Sequence, residues 1–239
     1  MKILLLQARQ LNDTARLDER HSFALRAKLA DENIVPFDLL SGTPALDLIR
    51  QYDALMIGGS GDYYVSKGNL PTNESVLQLL REVVECGHPT FASCFGFHLL
   101  VEALGGQVLY DADNMEVGTY ELEITQSARE DELFSYLPDK FLAQLGHKDR
   151  AYRIPDRTVN LASSSKAPFQ AMRISGKPIW ATQFHPELSG QENLDRFHRY
   201  MEGYAGTMGE GEIEKTLQRF GDSPETDQMI GRFLEIVFN

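Results

Sequence analysis

Over the first hundred residues, short unbroken apolar runs alternate with stretches whose apolar positions recur every three or four residues. Ile3–Leu6, Ile34–Phe37, Asp53–Ile57 and Pro89–Ser93 have the length and continuity of buried strands. Between them, four stretches read as helical. These are Thr14–Ala30 with Phe23, Leu25 and Leu29 among its apolar positions, Ala45–Ile49, the segment carrying Val76, Leu80, Val83 and Val84, and Phe97–Leu104. Gly58-Gly59-Ser60-Gly61 ends the third strand and Gly105-Gly106 stops the last helix. Strands separated by helices predict βαβ units.

From Gln107 to about Trp180 the pattern changes. Val117–Thr125 alternates apolar and polar positions, as a half-exposed strand does. Further strands are expected at Phe141–Leu145, Phe169–Ile174 and Ile179–Phe184. The predicted fold class is therefore α/β: an open, mostly parallel central sheet with helices on both faces and an antiparallel or mixed extension. Ser189 and Glu192 then have capping-box spacing. Leu194, Phe197, Met201 and Tyr204 follow as one apolar stripe of a single helix. The polar tail from Thr207 predicts one or two terminal helices docked through Leu217, Phe220, Ile230, Phe233, Leu234 and Val237. No repeat, low-complexity tract or linker separates two units.

Composition narrows the function classes. The 239 residues carry 23 Lys and Arg against 35 Asp and Glu, a net charge of −12. So acidic a chain lacks the cationic face that nucleic acid or an anionic membrane requires, so neither is an expected partner. No apolar run reaches the about 18 residues of a membrane span, and the Met1–Gln7 start is too short for a secretory signal. Two cysteines, Cys86 and Cys94, imply no disulfide framework. The expected location is the cytoplasm, with no cofactor and no metal.

The candidate chemistry centres on Phe91–Leu100, F-A-S-C-F-G-F-H-L-L. An apolar strand runs into Cys94 and a helix begins at once, the layout of a nucleophile elbow. The turn lifts the sulfur clear of the sheet. The helix N-terminus favours thiolate, and its first N–H groups face any oxyanion formed nearby. Gly96 leaves room for close approach. A small buried cysteine at a strand end is the ordinary alternative, and Cys86 fits that description. A second cluster, A-T-Q-F-H-P-E over Ala181–Glu187, ends another strand with His185 and Glu187 two residues apart. In extended chain such residues project to the same side, so the carboxylate can hold one ring nitrogen and leave the other free as a base. Pro186 stiffens the pair. Nucleophile, base and orienting acid thus fall in the order Cys94, His185, Glu187. The glycine loop at Gly58-Gly59-Ser60-Gly61 lies one βα unit earlier and can turn backbone N–H groups toward developing negative charge.

Taken together, Gly58-Gly59-Ser60, S-C-F-G-F-H and Q-F-H-P-E resemble the class I (triad type) glutamine amidotransferase family over about Met1 to Gly203. The resemblance implies a flavodoxin-like catalytic domain over residues 1–205, with residues 206–239 as a C-terminal helical extension packed on it. It implies Cys94 as nucleophile, His185 as base, Glu187 as its orienting acid, and the backbone N–H groups of Gly59 and Phe95 as an oxyanion hole. It implies attack on the side-chain amide of glutamine, a γ-glutamyl thioester and release of ammonia. The implied recipient of that ammonia is a synthase domain or subunit; for this chain either a separate synthase takes it up or hydrolysis is itself the reaction. Gly58, Ser60, His98 and the loop Gly146-His147-Lys148-Asp149 are implied substrate-binding positions. An exposed turn is the alternative for those last four residues. The family pattern usually has Gln where this chain has His98. The ring either borders the pocket, one turn from Cys94 on the same helix face, or fills space beneath the elbow. It leaves a γ-glutamyl peptide as an alternative substrate to glutamine. Two further readings stand: another cysteine hydrolase or chaperone-like protein on a similar sheet, and a non-catalytic binding module on the same scaffold.

Overall fold

A computed structural model of the chain describes residues 1–209 and 211–238. In chain order the elements of the first half are β1 (Ile3–Ala8), α1 (Ala15–Ala27), β2 (Ile34–Asp38), α2 (Leu46–Ile49), β3 (Ala54–Ser60), α3 (Asn73–Cys86), β4 (Thr90–Ser93) and α4 (Phe95–Ala103). The second half adds β5 (Gln107–Tyr110), β6 (Glu116–Ile124), β7 (Lys140–His147), β8 (Asp149–Arg153), β9 (Thr158–Ser163), β10 (Ala171–Ile174) and β11 (Ile179–Thr182). The final helices are α5 (Gly190–Arg199), α6 (Met201–Ala205), α7 (Glu212–Leu217) and α8 (Met229–Phe238).

Nine strands form one sheet in the order β2-β1-β3-β4-β11-β10-β9-β6-β7, and β5 pairs with β8 in a separate two-stranded ribbon. β2, β1, β3, β4 and β11 are parallel neighbours. β10, β9, β6 and β7 continue the sheet with antiparallel pairing. The fold class is the predicted one, a mostly parallel sheet with a mixed extension. Alternation along each strand divides the core. Leu4, Leu6, Leu55 and Ile57 face α3 and α4, whereas Ile3, Leu5 and Met56 pack with Phe23 of α1 and Phe233 of α8. Phe233 sits 5.5 Å from Phe91 and 5.9 Å from Trp180, ring centre to ring centre, so the C-terminal helix completes the core of the parallel half.

Several expectations change in detail. Gly58, Gly59 and Ser60 are the last residues of β3 rather than a loop, because the strand stays paired with β1 as far as Ser60. Leu25 faces solvent, and the buried face of α1 runs instead through Ala15, Glu19, Ser22 and Phe23. Ser189 and Glu192 do form a reciprocal capping box, but the helix they start breaks at Tyr200 and resumes as α6. The Gly146–Asp149 segment is largely buried where β7 passes into β8. β5, β8 and β9 fall in stretches for which the sequence pattern named no strand. Among the tail residues, Ile230, Phe233 and Leu234 are buried, while Leu217 is partly exposed.

Candidate active site

Parallel pairing brings the C-terminal ends of β3, β4 and β11 side by side, with Ile57 opposite Ala92 and Thr182 opposite Ser93. The chain leaves these three ends after Ser60, at Cys94 and at Gln183–His185, with Gly59 still within the paired end of β3. The Cys94 N–H donates to Thr182 O at 2.7 Å, which locks the elbow to the neighbouring strand. Cys94 itself has φ 50° and ψ −98°. It is one of two non-glycine residues at positive φ among those described. Such a conformation costs on the order of 1–3 kcal/mol and persists where surrounding structure enforces it. Here β4, β11 and α4 enforce it. Gly96 is required because a Cβ there would lie 2.7 Å from Ile57 Cβ, so α4 could not approach β3 this closely.

His185 and Glu187 follow β11 and are both buried. Ring Nδ1 lies 2.6 Å from Glu187 Oε1. Burial alone would lower the ring's proton affinity. The charge of Glu187, together with the charge and hydrogen bonding of the nearby Cys94, outweighs this and pushes the pKa up to about 9. Burial works in the opposite sense on Glu187, but His185 and then Arg196, whose Nη1 is 3.7 Å away, hold the carboxyl below its usual range. A Cβ on Gly59 would stand 2.9 Å from His185 Cε1, so the absent side chain is what lets the imidazole sit against β3.

The two expected oxyanion donors differ. Phe95 is the first residue of α4, whose leading N–H groups have no intrahelical acceptor and lie under the positive end of the helix. The Gly59 N–H instead donates to Glu19 Oε1 at 3.2 Å. Glu19 is fully buried and is held by Arg9 Nη2 at 2.8 Å and Gln7 Nε2 at 2.9 Å. Burial would lower Arg9, but the charge of Glu19 and the hydrogen bond reverse this and raise it. Gly58 lies against the same carboxylate, 2.6 Å from where its Cβ would be, which explains the glycine pair without giving Gly58 a ligand contact.

A small cavity opens on the sulfur, lined by Cys94, Phe95, His98, Ser60, Tyr64, Lys148 and Tyr204 among others. It adjoins a wider one bordered by Arg9, His185, Arg196, Tyr200 and Glu202. Tyr64 and Tyr204 line both cavities. Burial, then Tyr110 and Asp149, pushes Tyr64 up to about 12, and burial followed by the charge of Cys94 raises Tyr204. The remaining expected substrate contacts are occupied by protein. Ser60 Oγ accepts from Tyr63 N at 2.9 Å. His147 lies between Glu116 Oε2 at 3.1 Å and Asp149 O at 2.9 Å. Lys148 Nζ donates to Gly203 O at 2.5 Å and sits 4.7 Å from the centre of the Tyr204 ring. Asp149 accepts from Ser66 Oγ and N at 2.5 and 3.0 Å. His98 Nε2 is 2.6 Å from Gln183 Oε1. Among the described residues, no group of three or more His, Cys, Asp or Glu is arranged to hold a metal, and no helix is long and apolar enough to cross a membrane.

The glutamine amidotransferase class-I family profile matches residues 21–199. The chain belongs to that family. A glutamine-hydrolysing GMP synthase subunit of Methanopyrus kandleri is 30% identical over 66% of this chain and 79% of its own length. Its counterpart in Methanothermobacter thermautotrophicus is 30% identical over 71% of this chain and 83% of its own. The longer GMP synthase of Streptococcus uberis is 32% identical over 59% of this chain, a match that spans 29% of its own length. Among solved structures, a glutamine amidotransferase of Thermotoga maritima superposes with a TM-score of 0.73 over 99% of this chain and 97% of its own, at 18% identity, which shows the shared fold.

In this amidotransferase-family chain, sequence reasoning overlooked Arg9, Glu19, Tyr64, Gln183 and Arg196. One signal was available for Glu19: a carboxylate at position 19 interrupts the buried face of α1, between Ala15 and Phe23. Such a residue is seldom fully buried unless paired. Gln183 stood inside the Q-F-H-P-E motif.

Proposed function

We propose that this chain hydrolyses the side-chain amide of glutamine or of a related γ-glutamyl compound, with Cys94, His185 and Glu187 as its catalytic triad. The observation that carries the reading is His185 itself, held on Nδ1 by Glu187 at 2.6 Å while Cys94 lies close enough to raise the ring's pKa. In this reading the proton shared by Cys94 and His185 already lies on the ring, as an imidazolium–thiolate pair, when the Cys94 sulfur bonds to the amide carbon. The carbonyl oxygen becomes an oxyanion and takes a hydrogen bond from Phe95 N–H. The Gly59 N–H can join it once released from Glu19. His185 then gives the proton to the departing nitrogen, the C–N bond breaks, ammonia leaves, and a γ-glutamyl thioester remains on Cys94. Water that loses a proton to His185 attacks the thioester, and glutamate and the free thiol are restored.

The substrate's amino-acid end is assigned to the cavity bordered by Ser60, His98 and Lys148, with the backbone of Gly146–Asp149 as its floor. Residues 1–205 carry this chemistry, and α8 of the C-terminal extension braces the sheet through Phe233. The Methanopyrus and Methanothermobacter relatives are by name glutamine-hydrolysing subunits of a synthase, which supports a separate synthase as the recipient of ammonia. One observation favours γ-glutamyl peptides as the alternative substrates: His98 is tied to Gln183 through Nε2. It cannot reproduce the contact that a flexible Gln makes at that place. The test is to supply glutamine and, separately, a γ-glutamyl dipeptide, and to measure glutamate and ammonia. Release of both from glutamine, abolished by Cys94→Ala, is the expected result. Cleavage of the dipeptide alone selects the peptidase reading, and turnover of neither refutes the proposal.

A further inference from the structure

Beside the triad, a second buried polar chain reaches the sulfur. Gln183 follows β11, and because Thr182 pairs with Ser93, its side chain emerges next to Cys94. Gln183 Nε2 lies 3.7 Å from Cys94 Sγ. On the far side, His98 Nε2 lies 2.6 Å from Gln183 Oε1. His98 is four residues beyond Cys94 on α4, hence on the same helix face. Gln183 is fully buried and His98 nearly so.

We propose that His98 is a positioning residue that fixes the Gln183 amide so that its NH2 group, and not its oxygen, faces the Cys94 sulfur. An amide has two faces of opposite polarity: the NH2 end donates and the oxygen accepts. Turned the wrong way, Gln183 would present lone pairs to a sulfur that must carry negative charge to attack. In this proposal His98 holds its proton on Nε2, and an N–H there can bond only to an acceptor, which removes that choice. A hydrogen bond offered to a charged form stabilises that form. At neutral pH the His98 ring is uncharged, so one ring nitrogen carries its single N–H. Burial is the main cause, and it lowers the ring to about 4 although Asp149 and the Gln183 hydrogen bond act the other way and His147 acts with it. The titratable groups facing this chain are His185 beyond β11, Tyr64 beyond β3, Tyr204 of α6, and His147 and Asp149 at the β7–β8 junction.

The inference rests on Cys94 being the nucleophile, and the experiment separates the two claims. Iodoacetamide labelling of Cys94 and Cys86 is followed by peptide mass spectrometry from about pH 5 to 10, a range that brackets ordinary thiol and imidazole titration. Gln183→Met keeps the volume and removes the donor. It should raise the midpoint pH of Cys94 labelling by about one unit and slow labelling at neutral pH about tenfold. It should also lower kcat with little change in KM. His98→Leu should move the midpoint in the same direction, and His98→Gln, which can turn either end of its amide toward Gln183, should move it by less. Thermal melts establish that each variant is folded. If His98→Leu does not fold, Gln183→Met and His98→Gln decide the matter. A Gln183→Met profile that overlays the wild type, with Cys94 still labelled far faster than Cys86, overturns the relay and leaves the nucleophile assignment standing. Equal, slow labelling of both cysteines in the wild type overturns both.

Discussion

Replacing Glu187 by Gln removes one buried charge while keeping the shape of the side chain. In the wild type the His185 ring is pushed from 6.5 to about 9, against a burial effect that alone would lower it. Glu187 leads the groups that overcome burial, at 2.6 Å from Nδ1. Without its charge the ring should lose much of that rise, with Cys94 left as the remaining group that opposes burial. Since a tenfold change in proton affinity is about 1.4 kcal/mol, losing the whole rise would cost the imidazolium about 3 kcal/mol, so the population of the imidazolium–thiolate pair should fall by up to about two orders of magnitude. The amide also offers His185 Nδ1 either an oxygen or an NH2 group, so the orientation of the ring is no longer fixed. The assay measures kcat/KM for glutamate release over pH, with single-turnover thioester formation as the chemical step. Glu187→Gln should lower the neutral rate by up to about two orders of magnitude, and His185→Ala should lower it further because the base itself is gone. A Glu187→Gln enzyme with wild-type rates, or one more damaged than His185→Ala, would refute this assignment of roles.

Other expectations follow from the same geometry. Thioester formation should decline as pH rises through about 9, where His185 loses the proton it gives to the leaving nitrogen; a rate flat to well above that value would contradict the assignment. Gly59→Ala places a Cβ 2.9 Å from His185 Cε1, so the ring must shift. Its kcat should fall about tenfold or more while the melting temperature changes little, since small misplacements of a catalytic group are costly. Phe233→Ala empties a site between Phe91 and Trp180 and should cost about 3–5 kcal/mol in urea unfolding, without altering the selectivity of Cys94 labelling in the folded protein. His98 supplies a stability signature. Folded, it titrates near 4, and unfolded, near 6.5, so the unfolded chain binds more protons between these values and wild-type stability falls as pH drops through that window. His98→Gln should lack that contribution, and parallel stability curves for the two proteins would show that the ring is not held neutral.

The apolar runs marked the strands that form the parallel half, because buried strands need continuous hydrophobic sequence. Val117–Thr125 was legible too, because Glu121-Leu122-Glu123 sets a buried apolar residue between two exposed charges, although the start of β6 is buried without alternation. β5, β8 and β9 were not. They are short and partly polar, and a distant partner gives them strand geometry. The break at Tyr200 was equally hidden. The stripe Leu194–Phe197–Met201–Tyr204 suits one continuous helix, whereas Tyr200 OH, which accepts from Arg9 Nη1 and donates to Asp13, holds the chain at the break. At the site, Cys94, His185 and Glu187 stood out because an elbow and an i, i+2 pair leave local marks. Arg9, Glu19 and Gln183 owe their roles to strand and helix adjacency, which no local pattern spells out. Gly59 shows the limit most sharply: the glycine was visible as a feature, but the carboxylate on its N–H comes from residue 19 across the fold.

The most direct measurement of the central claim is covalent capture by a glutamine analogue that carries a diazoketone in place of the side-chain amide. The protein is incubated with it, digested, and read by mass spectrometry. The account predicts one adduct per chain, on Cys94, with protection by glutamine or a γ-glutamyl peptide and strongly slowed capture in His185→Ala. Capture on Cys86, or none at all in a folded protein that still hydrolyses the substrate, would contradict it.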